Sequence, residues 1–153
     1  MEPFVSSFQN KIDKKGRVSV PAAFRSIVVA NGLNQIFCYS ALDVPAVEAG
    51  GKPLLTKIYQ LLEDLPPYSE ERDILSTALF GGSENLKIDN DGRIILPEAM
   101  REHAKITDHV TFVGMGDKFR IWSPQIFEEY MAEARIKAIS HRKLFADAHK
   151  KSM

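Results

Sequence analysis

The sequence predicts an α+β fold made of two repeated β-β-α-β half-units, with linking helices between them and a long C-terminal helix. Two observations carry this prediction. First, the run Asp13-Lys14-Lys15-Gly16-Arg17-Val18-Ser19-Val20-Pro21 returns as Asp89-Asn90-Asp91-Gly92-Arg93-Ile94-Ile95-Leu96-Pro97. Ile12/Ile88, Asp13/Asp89, Gly16/Gly92, Arg17/Arg93, Pro21/Pro97 and Arg25/Arg101 are each 76 positions apart. A spaced set of Asp, Gly, Arg and Pro kept in one register marks an internal duplication. Second, short strands joined by tight turns dominate and crossover helices are few. This favours paired half-barrels over a parallel sheet.

Each copy of the motif reads as strand, tight turn, strand, helix. Glycine sits where the turn needs a positive φ. Arg17 or Arg93 opens the second strand, and Pro21 or Pro97 stops the ladder and suits a helix start. In chain order, Phe4 to Ile12 alternates loosely and reads as a strand. Phe24, Ile27 and Val28 give Pro21 to Ala30 a helical face, closed by Asn31-Gly32. Gln35 to Ser40 is a short strand. Ala41 to Pro53 holds Pro45, Gly50, Gly51 and Pro53, and reads as a loop or linker. Leu54, Leu55, Ile58, Leu61, Leu62 and Leu65 mark an amphipathic helix that packs in the core. Ser69 caps a second helix, with Ile74, Leu75, Ala78 and Leu79 as its apolar face and Gly81-Gly82 at its end.

The second copy follows Leu86 and Ile88. Pro97 to His103 is a short helix. Val110 to Val113 and Phe119 to Trp122 are strands about the turn Gly114-Met115-Gly116-Asp117. Ser123-Pro124 opens the long helix, which carries Ile126, Phe127, Tyr130, Met131, Ala134, Ala138 and Ile139 and ends in a basic segment. It has more apolar surface than a small barrel needs, so it is either a subunit interface or a solvent-flanked packing helix. The chain thus divides into a first repeat over 4–50, a helical linker over 51–82, a second repeat over 83–130 and a C-terminal helix extension over 131–153.

With 153 residues, 44% hydrophobic and 26% charged, the composition is that of a soluble globular protein. No apolar run approaches the roughly 20 residues of a membrane span. The N-terminus lacks the basic and apolar regions of a signal peptide, and the single cysteine, Cys38, cannot form an internal disulfide. A cytoplasmic protein is expected. Net charge is zero, which speaks against a monomeric electrostatic binder of nucleic acid. Charge is unevenly spread, however. From Lys11 to Arg25 five basic residues face one acidic, whereas from Ala41 to Phe80 three basic face seven acidic.

At these motifs the chain resembles the MraZ family, a duplicated form of the AbrB-like (SpoVT-AbrB) swapped-hairpin barrel. The resemblance rests on Asp13-Lys14-Lys15-Gly16-Arg17 with Pro21 and Phe24-Arg25, and on Asp89-Asn90-Asp91-Gly92-Arg93 with Pro97. The run Val113-Gly114 to Phe119-Arg120-Ile121-Trp122 adds to it. It covers roughly Phe4 to Tyr130. Ser6-Ser7 departs from the family pattern, which has a glycine there. The resemblance implies two AbrB-like units in a swapped-hairpin double barrel. It also implies a bacterial, nucleoid-associated transcriptional regulator that binds repeated sites upstream of its own gene, at the head of a cell-division and cell-wall cluster. Ring-like homo-oligomers sharing one double-stranded DNA are implied too.

On that reading Arg17 reads guanine through a bidentate pair in the major groove. Lys14 and Lys15 contact phosphates, which position without reading sequence. Asp13 supports the turn by accepting backbone N–H groups or by pairing with Arg17, and Gly16, Pro21, Asp89, Gly92 and Pro97 are further motif supports. The second turn is more acidic. The first copy is therefore expected to carry most of the DNA contact, and the second to be mainly structural or an oligomer contact. Arg93 is a DNA-binding candidate on the same motif logic. The alternative for both arginines is a salt bridge to Asp13 or Asp89 that closes the hairpin. For Arg25 and Arg101 a solvated face is expected.

No catalytic constellation is present. His103, His109, His141 and His149 lack metal-ligand spacing, no phosphate loop or nucleophile elbow occurs, and Cys38 reads as a buried small residue. No enzyme activity, cofactor, metal or small-molecule substrate is expected. Besides the DNA-binding regulator, two readings remain: an antitoxin-like protein-interaction module of the same fold, and a structural oligomer with non-specific affinity for polyanions.

Overall fold

The computed structural model describes residues 2–32 and 34–152. It falls into two compact units, Met1–Ser123 and Pro124–Met153. The first unit has the element order β1 (Ser7–Lys11), β2 (Arg17–Ser19), α1 (Ala22–Ala30), β3 (Gln35–Ser40), β4 (Val47–Gly50), α2 (Lys52–Glu63), α3 (Glu70–Ser76), a π turn at Thr77–Gly81, β5 (Glu84–Lys87), β6 (Arg93–Ile95), α4 (Glu98–His103), β7 (His109–Gly114) and β8 (Phe119–Trp122). The second unit is the helix α5 (Pro124–Ser152). This is the predicted α+β arrangement of duplicated β-β-α-β units with linking helices and a long C-terminal helix.

All strand pairs are antiparallel. Six strands form one sheet in the order β1-β7-β8-β4-β3-β5, and β2 pairs with β6 in a separate two-stranded ribbon. The duplication explains the order. Under the equivalences β1 with β5, β3 with β7 and β4 with β8, the sheet reads the same from either end. Its pairings cross from one repeat to the other at β1–β7, β4–β8 and β3–β5, and the ribbon crosses too. Within each repeat the turn leads from the first strand into the second, but the second strand leaves its neighbour and takes the opposite repeat as partner. This is the swap expected of the fold.

A shared core results. Val18, Val20, Ile94 and Leu96 point inward from the ribbon and meet Phe4, Phe24, Ile36, Phe112, Phe119 and Ile121 from both halves. Phe24 is the hub, with ring centroids 5.3 Å from Phe4 and 4.9 Å from Phe119. The leucine helix α2 does pack in a core, as predicted. Leu54, Ile58 and Leu62 cover Phe37 and Tyr39 of β3, flanked by Leu75, Leu79 and Phe80.

Three expectations are corrected. The stretch Ala41 to Pro53 is not all loop, because it contains β4. All four residues of β4 are buried, so the alternation that marks a half-buried strand is missing. The first strand begins at Ser7 rather than Phe4. Phe4 makes only an isolated bridge to Gly116, and Ser6 between them turns the chain at φ +74°. Finally, the helix after Ser69 changes pitch at Thr77 and continues as a π turn. Its predicted cap holds: the Ser69 hydroxyl accepts from the Arg72 N–H at 3.2 Å.

β4 also carries a buried charge. Glu48 is 3% exposed and forms ion pairs with Lys118 and with Arg120, its cross-strand neighbour on β8. Two cations pair with the carboxylate at the middle of the sheet, where β4 and β8 are neighbours, as an ionised group taken out of water requires. Helix α5, taken by itself, exposes Ile136, Ile139, Leu144 and Phe145 among basic residues.

Candidate nucleic-acid interface

The two motif turns are built alike. In the first, Asp13 accepts from the Gly16 N–H with its carbonyl at 3.0 Å, and its own N–H donates to the Arg17 carbonyl at 3.1 Å. Its carboxylate accepts the N–H groups of Lys15 and Arg17, both at 2.9 Å. Gly16 takes φ +88°, a conformation that favours glycine. In the second turn Asp89 accepts from Gly92, Asp91 and Arg93 in the same pattern, and Gly92 takes φ +77°. The backbone N–H of Arg17, with its guanidinium next, holds the Asp13 carboxyl below the usual carboxylate range. The backbone N–H of Arg93 does the same for Asp89. The aspartates therefore stay ionised and lock both turns.

The arginines differ. Arg17 donates from Nε to Asp13 at 2.6 Å and is 44% exposed in its side chain. Among the described residues its two terminal nitrogens have no partner. Arg93 sits 3.4 Å by Nε from Asp89 and donates from a terminal nitrogen to Asp91 at 3.2 Å. Thus Arg17 forms the foreseen pair with Asp13 through Nε and, among the described residues, leaves its terminal nitrogens without a partner. Arg93 has part of its fork engaged by its own turn. Lys14 and Lys15 are exposed at the tip of the first turn.

Sequence reasoning placed the two arginines at separate hairpins. The structure brings them onto one ribbon. Arg17 is opposite Ile95, Val18 opposite Ile94, and Ser19 opposite Arg93. Val18 and Ile94 are buried. Arg17, Ser19, Arg93 and Ile95 therefore share the outward face. No local signal reveals this, because the register joins residues far apart in the chain.

The helix arginines overturn the expectation of a solvated face. Both are half-buried. Arg25 donates to the Val20 carbonyl at 3.0 Å, and Arg101 donates to the Leu96 carbonyl at 2.9 Å. Arg25, from the first repeat, lies against Gly92 of the second turn, and Arg101, from the second repeat, lies against Gly16 of the first. Val20 N–H donates to Gly92 at 3.0 Å and Leu96 N–H to Gly16 at 2.8 Å. Each turn is thus braced by the other repeat. The signal was present in the 76-residue spacing of Arg25 and Arg101, but its cross-repeat meaning was not.

Cys38 is fully buried, and burial pushes its thiol up to about 12. No group of three or more His, Cys, Asp or Glu side chains suited to a metal ion occurs among the described residues. Among the same residues no helix is long and apolar enough to cross a membrane.

The chain is similar to known proteins along most of its length. A family model described as "MraZ protein, putative antitoxin-like" matches residues 79–149. A protein of Xanthobacter autotrophicus named transcriptional regulator MraZ is 47% identical over 134 residues, 88% of this chain and 85% of the relative. Its namesake in Methylocella silvestris is 46% identical over 149 residues, 97% and 91% of the two chains. That of Rickettsia bellii is 44% identical over 144 residues, 94% and 95%. With relatives this similar along nearly the whole chain, the protein belongs to the MraZ family.

Proposed function

We propose that this chain is a bacterial transcriptional regulator that binds double-stranded DNA sequence-specifically through the first-turn end of the β2–β6 ribbon. Arg17 is the base reader, Lys14 and Lys15 hold phosphates, and Arg93 is a secondary contact. The free donor fork of Arg17 on an outward ribbon face, beside two exposed lysines, carries this reading. A two-stranded ribbon fits the major groove, and a bidentate arginine–guanine pair gives about 1–3 kcal/mol of discrimination. The names of the relatives support regulation of transcription. The sites are repeated sequences upstream of the protein's own gene, in a cell-division and cell-wall cluster. A homo-oligomeric ring offsets the neutral net charge, since several weak contacts on one DNA add through effective concentration. The protein acts in the cytoplasm, at the nucleoid, without cofactor or enzymatic step.

Fluorescence anisotropy tests this with a labelled duplex from upstream of the protein's own gene and a scrambled duplex of equal length. The wild type should prefer the upstream duplex. Arg17→Ala should lose that preference while staying folded, and Arg93→Ala should lose less. Equal binding of both duplexes by wild type and Arg17→Ala would mark the arginine as a hairpin lock and turn attention to protein partners.

A further inference from the structure

Ile95 stands on the outward face of the ribbon and is 61% exposed. Its neighbours Ile94 and Leu96 are buried, so the pleat of β6 aims it away from the core. Directly across the ladder is Arg17. The Leu96 N–H bonded to Gly16 brings this end of β6 beside the first turn, with Lys14 and Lys15 at its tip. The equivalent position of the first repeat is Ser19, opposite Arg93. The two ends of the ribbon are therefore unlike. One sets an arginine against an apolar side chain next to cations. The other sets an arginine against a hydroxyl next to Asp91.

We propose that Ile95 is a specificity-determining residue, packing on the C5-methyl group of a thymine beside the guanine taken by Arg17. The inference rests on the DNA-binding reading above. The thymine methyl is the apolar feature that base pairs display in the major groove. Directly opposed side chains on a ribbon stand roughly 4.5–5.5 Å apart at Cβ, and successive bases are about 3.4 Å apart along a strand. A pair such as Arg17 and Ile95 thus spans neighbouring base steps. The charge at this end suits phosphates, so a duplex is the occupant this face fits. The reading unit is then composite: the first repeat supplies the cations and the guanine reader, and the second supplies the apolar reader. It also accounts for the acidic second turn, which lies at the opposite end of β6.

The test compares the upstream duplex with the same duplex made with deoxyuridine in place of thymidine. Deoxyuridine keeps the pairing and the O4 acceptor and lacks only the methyl. The wild type should bind the thymine duplex about fourfold more tightly for each methyl buried. Ile95→Ala should bind both duplexes alike, and Ile95→Val should keep most of the ratio, with thermal melting confirming that both variants fold. A wild-type ratio of one, or a wild-type ratio retained in Ile95→Ala, overturns the assignment while preference over the scrambled duplex still stands. Loss of that preference in the wild type instead overturns the DNA reading and this assignment with it.

Discussion

The guanidinium of Arg25 lies against the backbone of Gly92, so that a Cβ built on Gly92 would overlap its Nη1 and stand 2.7 Å from its Cζ. The contact joins a helix of one repeat to the turn of the other. Gly92→Ala meets both this overlap and the positive φ, which alone costs roughly 1–2 kcal/mol. Arg25→Ala removes the charged donor of the Val20 carbonyl, worth about 1.5–3 kcal/mol. In the double variant the new methyl has room. The double-mutant cycle in urea should therefore show a loss smaller than the sum, by about 0.5–3 kcal/mol. Simple additivity would mean that arginine and glycine do not brace one another.

Ser6 holds φ +74° between the Phe4–Gly116 bridge and β1. The carbonyl of Ser6 accepts from Gly114 at 2.9 Å, which fixes the bend. Glycine relieves the left-handed strain but costs unfolded-state entropy. Ser6→Gly should stabilise the protein by about 0.5–1 kcal/mol net, read as a higher urea midpoint with an unchanged slope. A lower midpoint would show that the serine side chain contributes more than the strain it bears.

Removing Glu48 leaves Lys118 and Arg120 unpaired at the edge of the core. Glu48→Ala should cost about 3–5 kcal/mol. The exposed Lys57–Asp117 pair, at 2.6 Å, is the internal control, and Lys57→Ala should cost under about 1 kcal/mol. Equal losses in chemical denaturation would remove the distinction between the buried and the exposed pair.

Cys38 and Tyr39 should contribute to the alkaline limit of stability. Burial raises both groups to about 12, from 9.0 and 10.0, with nearby Glu84 adding to Cys38 and Glu48 to Tyr39. Their contribution is complete below about pH 9. Above it the unfolded chain releases protons that the folded chain keeps, so stability falls as pH rises toward 12. Each group contributes a slope of up to about 1.4 kcal/mol per pH unit. Cys38→Ala and Tyr39→Phe should each flatten the decline in stability measured from pH 8 to 11. An unchanged slope in both variants would place the alkaline transition elsewhere.

Much of this was legible in the sequence because it is local. The Asp-Gly-Arg turns, the Ser69 cap and the apolar face of α2 each follow from a few adjacent residues. β4 was not legible, since Val47-Glu48-Ala49-Gly50 is buried on both faces and flanked by turn formers. Arg25 and Arg101 were misread for a related reason. Their spacing was visible, but a charged residue early in a short helix is ordinarily solvated, and only the partner turn from the other repeat buries it. The outward face shared by Arg17, Arg93 and Ile95 depends on a register between distant strands, which the periodicity of either strand leaves open.

The interleaved sheet has a consequence for synthesis. When the ribosome has released residues up to Gly50, β1 lacks β7, β2 lacks β6, β3 lacks β5 and β4 lacks β8. Among the described residues, the emerged segment can form the β3–β4 strand pairing and the isolated Ile12–Val18 bridge alone. A nascent first half thus presents unpaired edges and an open apolar face until the second half follows, the condition in which chains associate wrongly.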